Sequence, residues 1–283
     1  MVERVWDGSN VAQELLENVR QEVVRLRHEG YPPPTLVEIR VGAWPPDAHL
    51  RGLQAEACRV TGISHQLYTF PHDCDLQAIL QLLAHLNVDP TITGIAIHAH
   101  PSIRFSELAA ALAPEKDVDG VHPLHLGRFL TNKRVWRQPR GADIVQLLKR
   151  AGLSLVGAHV ICIGNASGFA RILAWLCLHE NATVTAWTSA HAWPRHMLHQ
   201  GDVLVIDTDD LPAEDGIAIK PGVVVVDART RPDGWLSHQP ESLPQAVSLL
   251  IPVPDGIGPT TPATRLISLV AMCRVPANVS LDS

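Results

Sequence analysis

What this chain of 283 residues lacks narrows its class first. It has no basic excess: 23 Lys and Arg against 29 Asp and Glu give a formal net charge of −6. A protein built to grip nucleic acid carries a basic stripe, so no nucleic-acid partner is expected. No apolar run is long enough to span a bilayer. The opening MVERVWDGSNVAQELL puts charges where a secretory signal needs an apolar centre. The expectation is a cytoplasmic protein with no membrane partner. No CxxC pair occurs, and the five cysteines (Cys58, Cys74, Cys162, Cys177, Cys273) are scattered and odd in number. Buried free thiols are the default for such a set, not a disulfide framework or a cysteine zinc site. A GxGxxG string is also missing.

With 46% hydrophobic and 18% charged residues, the chain suits one large or two ordinary globular domains. Residues 11–29 place Val11, Leu15, Leu16, Val19, Val23, Val24 and Leu26 at helical spacing, with Asp7 to Asn10 as N-cap candidates. Gly30 and Pro32–Pro34 stop that helix. Strands are expected at 36–41, 66–69 and 94–98, with helices at 46–62, 75–86 and 105–113. After a helix at 141–151, strands follow at 159–164, 183–187, 203–207 and 223–227, and a last helix at 261–272. Strands alternating with helices of ten or more residues predict βαβ units and a parallel sheet. HVICIG, a turn and a helix, then a second strand about twenty residues on is Rossmann-like, with Gly164 and Gly168 in the turn.

The stretch 94–125, GIAIHAHPSIRFSELAAALAPEKDVDGVHPLHL, is the densest in chemistry. His98 and His100 leave one face of a strand end. A charged turn, PEKDVDG, then leads to His122 and His125. Ionisable groups at a strand end and in the loop beyond it are what a binding cleft in an α/β protein presents. Fifteen histidines are present in all, and His179, His191, His196 and His199 fall at helix ends or in surface loops and need no function.

PEKDVDGVHP resembles a signature of the bifunctional methylenetetrahydrofolate dehydrogenase/cyclohydrolase family. Three further places are similar to it in the right order: VWDGSNVAQEL with EIRVGAWPPDAHLRGLQAEACRVTGI, the dinucleotide turn with ENATVTAWTS, and IKPGVVVVD with IPVPDGIGPTT. The resemblance implies two α/β domains with the active cleft between them. Residues 1–139, completed by the C-terminal helix at about 260–283, would bind folate, and 140–259 would form a Rossmann-like NAD(P)-binding domain. It also implies a homodimer and a tetrahydrofolate derivative as the small-molecule substrate.

The departures fall on the chemistry. Leu50 and Gln54 stand where the family has a pterin-stacking Tyr and, one helical turn on, a catalytic Lys; His98 replaces the Gln that partners that Lys, and Asp119 is the retained folate-contacting Asp. With Leu53, Leu50 makes an apolar face suited to packing. By the same resemblance Gln54, His98 and Asp119 are the catalytic candidates. Leu50, His100, His122, Pro254, Gly256, Gly258 and Pro259 are the substrate-binding candidates. Gly164, Asn165, Ala166, Ser167, Arg171 and Ser189 are the cofactor-binding ones, although Asn165 and the Ala190 after Ser189 are neutral where the family has Arg. His98, His100, His122, His125 and Asp119 resemble a metal-ligand cluster, but the family site uses no metal and none is expected. Glutamine does not titrate, so the hydrolytic step should be weak or lost unless His98 takes over the proton transfers. Hydride transfer rests on positioning and electrostatics, and need not be. Two alternatives stay open: a different folate one-carbon reaction in a specialised pathway, and a non-catalytic folate- or nucleotide-binding protein.

Overall fold

The computed structural model describes residues 4–42, 47–99, 103–131, 139–164, 169–188, 195–208, 218–228, 245–252 and 255–274. In chain order the elements are β1 (Arg4–Val5), α1 (Ser9–His28), β2 (Thr35–Val41), α2 (Asp47–Thr61), β3 (Ser64–Phe70), α3 (Leu76–Val88), β4 (Gly94–Ala99) and α4 (Phe105–Ala111). A 3-10 turn (Pro114–Lys116) and α5 (Pro123–Leu130) follow, then α6 (Pro139–Arg150), β5 (His159–Gly164), α7 (Phe169–His179) and β6 (Thr183–Thr188). A second 3-10 turn (Arg195–Gln200), β7 (Val203–Asp207), β8 (Val223–Asp227), β9 (Val247–Ile251) and α8 (Thr260–Met272) complete the chain. Two compact units result, one of residues 12–139 and 262–283 and the other of 1–11 and 140–261. Residues 1–11, counted above with the N-terminal domain, fall in the second unit because β1 pairs with β9.

The first unit holds a parallel three-stranded sheet in the order β3-β2-β4. β2 is central and buried along all seven residues, so both of its faces meet other elements. Val37, Ile39 and Val41 pack with Ile79 and Leu83 of α3 and Leu108 of α4. Leu36, on the opposite face, packs with Val19 and Val23 of α1, Ala57 and Cys58 of α2, and Leu266 and Leu269 of α8. Side chains alternate along a strand, so Glu38 and Arg40 follow Leu36 onto the α2/α8 face. That face is apolar at the start of β2 and charged toward its carboxyl end.

The turn after α4 is tied down from three sides. Lys116 donates from Nζ to the carbonyls of Leu86 (2.6 Å) and Asp89 (2.5 Å), placing a cation at the carboxyl end of α3. Its burial lowers the amine's pKa. Asp117 bridges to Ile95 of β4, and its Oδ2 accepts from the His122 amide and from His125 Nδ1, both at 2.8 Å. Gly120 has φ +69°, left-handed backbone that a side chain rarely adopts.

The second unit holds a parallel six-stranded sheet in the order β1-β9-β8-β7-β5-β6. The chain runs outward from β5 to β6 and then back to β7, so the switch point lies at the carboxyl ends of β5 and β7. Ile161, Ile163, Leu204, Ile206, Val223, Val225 and Val247 form its core. Near its N-terminus, Trp6 N–H donates to Leu250 O and Gly8 N–H to Asp255 O, each at 2.8 Å.

Candidate active site

β2 carries the centre of the site. Glu38 is fully buried at 0% exposure. Its Oε2 accepts from His65 Nε2 at 2.8 Å. Its Oε1 is met by His98 Nε2 at 3.2 Å, Arg40 Nη2 at 3.3 Å and Arg265 Nη1 at 3.3 Å. Burial alone would raise the Glu38 pKa, but hydrogen bonds from His65 and His98 and the charge of Arg265 outweigh it. The carboxyl is held well below the usual carboxylate range and stays ionised. An ionised carboxylate only accepts, so each imidazole turns an Nε2–H donor toward Glu38. The His98 side chain is 33% exposed and the Glu38 side chain wholly enclosed.

Arg265, from α8, is the second hub. Its Nε and Nη2 donate to the two carboxylate oxygens of Asp119 at 2.8 and 3.2 Å, a fork-to-fork pair. Its Nη1 also donates to Gln54 Oε1 at 2.8 Å. Gln54, 1% exposed on α2, turns its Nε2 toward Cys58 Sγ at 3.6 Å, so both ends of its amide are engaged inside the unit. Burial pushes the Cys58 thiol up to about 11. Among the described residues, the carboxylates Glu38 and Asp119 face the guanidinium groups of Arg40 and Arg265.

The structure brings Gln54, His98 and Asp119 to one cluster, with Glu38 and Arg265 joining them. His125 is not among them: Asp117 holds it, buried, in the turn. His122 caps α5, its Nδ1 accepting from Leu124 N–H at 3.0 Å, and burial lowers its pKa. Of the histidines grouped above as one cluster, His98 thus meets Glu38 and His125 meets Asp117. Leu50 lies on α2 one turn before Gln54, with its side chain outside the described residues. His100, Asn165, Ala166, Ser167, Ser189 and Pro254 lie outside them as well.

In the second unit Gly164 ends β5, and a Cβ there would stand 2.6 Å from the Ala170 Cβ in the first turn of α7. Strand and helix approach that closely only around glycine, the close packing that a dinucleotide-binding βα turn requires. β5 ends at the switch point and α7 begins five residues on, at Phe169, so the strand end and the helix N-terminus suit a dinucleotide. Arg171 is exposed on α7. Gly256 and Gly258 are buried and Pro259 half-buried in the turn before α8. A Cβ on Gly256 would meet Pro252 O at 2.5 Å, and one on Gly8 would meet Gly256 O. Asp255 and Gly256 are therefore packed backbone to backbone on Gly8.

Residues 6–119 match the model of the tetrahydrofolate dehydrogenase/cyclohydrolase catalytic domain, and 139–275 that of the same family's NAD(P)-binding domain. The bifunctional protein FolD of Anoxybacillus flavithermus is 30% identical over 280 residues, which cover 97% of this chain and 99% of the relative. The chain belongs to this family. FolD of Methanospirillum hungatei is 31% identical over 275 residues, covering 95% and 97% of the two chains. The FolD dehydrogenase/cyclohydrolase structure from Campylobacter jejuni superposes with a TM-score of 0.80 at 24% identity, over 95% of this chain and 98% of that one, a likeness of fold.

Within the family's frame, sequence reasoning missed Glu38, His65, Arg40 and Arg265. The signal for the first lay in EIR, two charges inside a strand that turns out to be central. The signal for Arg265 was a lone charge in an otherwise uncharged helix, TTPATRLISLVAM.

Proposed function

We propose that this chain oxidises 5,10-methylenetetrahydrofolate to 5,10-methenyltetrahydrofolate with NAD(P)+, and that its cyclohydrolase activity is weak or lost. The carrying observation is the state of position 54: an amide, not an amine, held at Oε1 by Arg265. The unit of residues 12–139 with 262–283 would hold the folate, and the Rossmann-like unit the dinucleotide. Leu50, His100, His122 and the segment from Pro254 through Gly256 and Gly258 to Pro259 would contact the folate. Gly164 to Ser167, Arg171 and Ser189 would hold the dinucleotide, whose nicotinamide supplies the hydride acceptor.

In the oxidation a C–H bond of the methylene bridge breaks and its electron pair leaves with the hydrogen as hydride. The bridge is left as an amidinium cation, and no proton has to move. What the chain's residues must do is orient the folate, exclude water and tolerate the new positive charge. The carboxylates Glu38 and Asp119 suit the last task. Hydrolysis differs: water oxygen bonds to the amidinium carbon and loses a proton to a base. One C–N bond then breaks, that nitrogen takes a proton, and the carbon stays as a formyl group. Gln54 can hydrogen-bond to such a species but cannot exchange protons with it.

A second reading is favoured by one feature. His98, oriented through Nε2 by Glu38 and partly exposed, would serve a rebuilt pocket with a different folate one-carbon reaction. Spectroscopic turnover of methylenetetrahydrofolate with NAD+ or NADP+ separates the readings. Methenyl product that accumulates, and decays no faster than without protein, supports the first. Product that forms and is then consumed makes His98 the replacement base. No product with either cofactor refutes the dehydrogenase, and binding titrations then decide between a different reaction and a non-catalytic protein. For the assembly we propose a homodimer: β3 is an edge strand with Leu67 43% exposed, an edge that a second copy could cover. The compartment proposed is the cytoplasm, where five free cysteines are chemically at ease.

A further inference from the structure

This inference rests on the folate reading of the site and concerns the residue that decides its chemistry. Arg265 is 6% exposed, and its guanidinium spans Asp119, Gln54 and Glu38, partners 146, 211 and 227 residues away in sequence. We propose that Arg265 is the specificity-determining residue of this site: its fixed cation takes the electrostatic place of the ammonium that the family carries at position 54, and so restricts the pocket to oxidation.

Charge balance is the first argument. Among the described residues, two carboxylates, Glu38 and Asp119, face two guanidinium groups, Arg40 and Arg265, all four at 6% exposure or less. A lysine at 54 would add a third cation against the guanidinium that Gln54 Oε1 now accepts from, where little water screens them. With Arg265 present, the amide is the residue that fits. Proton chemistry is the second. A lysine ammonium can be tuned to give and take protons near neutrality, whereas a guanidinium keeps its proton. The substitution thus preserves the positive charge and removes the proton transfer that hydrolysis needs. Geometry is the third. The fork of Arg265 on both oxygens of Asp119 fixes that carboxylate in one orientation, so Asp119 meets the substrate as one half of an ion pair.

The test compares the unaltered chain with Q54K, R265L and Q54K/R265L, by thermal unfolding and by decay of 5,10-methenyltetrahydrofolate across pH. Each single change breaks the balance and should lower the unfolding temperature. The double restores two cations to two carboxylates, so its loss should be smaller than the two single losses together. Hydrolysis should stay at the spontaneous rate in Q54K and rise about a hundredfold in the double, with the pH dependence of a titrating amine. Q54K hydrolysing as fast as the double would overturn the proposal, as would single losses that simply add. A double variant coupled in stability but no faster in hydrolysis would also overturn the specificity claim. If R265L alone does not fold, Q54K against the double still decides. Should the unaltered chain oxidise no methylenetetrahydrofolate, the functional reading falls, while the unfolding comparison still judges the exchange of charge.

Discussion

Replacing Glu38 with Gln keeps the side chain's shape and removes one charge, which isolates the electrostatic role of the hub. The Gln amide can place its oxygen toward His98, Arg40 and Arg265, but its NH2 then faces His65 Nε2, which now stands 2.8 Å from Oε2. Both guanidinium groups lose a buried counter-charge. Removing one partner from a buried ionic group costs about 3–5 kcal/mol. For a unit of this size each kcal/mol moves the unfolding midpoint by about 2–4 °C, so the shift should lie between about 6 and 20 °C. The sign of the pH dependence follows from the depressed folded-state pKa of Glu38. Such a group adds stability in full above its unfolded pKa, about 4.3, and loses it as pH falls toward the folded value. The gap between the unaltered chain and E38Q should therefore hold from pH 8 to about pH 5 and narrow in acid. Calorimetry at several pH values reads it, in the transition of the unit that holds β2. A shift below about 2 °C at pH 7, with no narrowing in acid, would refute the account of Glu38 as an ionised hub.

Other perturbations test the supports around the site. Gly164→Ala drives a methyl to 2.6 Å from the Ala170 Cβ, so NAD(P) affinity should fall at least about tenfold and stability by about 1–3 kcal/mol; unchanged fluorescence titrations would contradict this. Lys116→Met keeps the stem but leaves the carbonyls of Leu86 and Asp89 without the Nζ donor, and should cost about 1–3 kcal/mol in denaturant unfolding. Gly8→Ala sets a Cβ against Gly256 O and should break the Gly8 N–H to Asp255 O bond, exposing residues 4–8 to limited proteolysis. An undisturbed digestion pattern would count against that packing.

Much of this architecture is legible in the chain itself, because apolar periodicity reports which residues face a core. The strands VVVVD and HVICIG and the helix α1, which ends before Gly30, are set by their own residues. The elements that escape are those whose order comes from elsewhere. β1 is two residues long and exists because Leu249 and Leu250 pair with it, and α5 begins at a proline only two residues after the buried turn that Asp117 anchors. The site divides in the same way. Gln54, His98 and Asp119 could be named because each stands in a local motif shared with the family, but nothing local connects them. Glu38 and Arg265 make the connection, and they are 227 residues apart. Read alone, EIR suggests a strand with one wet face, and Arg265 a helix residue at the surface. Each becomes a hub only because the other is buried beside it. A charge in the interior is tolerated where an opposite one is enclosed with it. Long-range charge pairs of this kind are therefore what a single sequence hides best, and here they bear on which chemistry position 54 can perform.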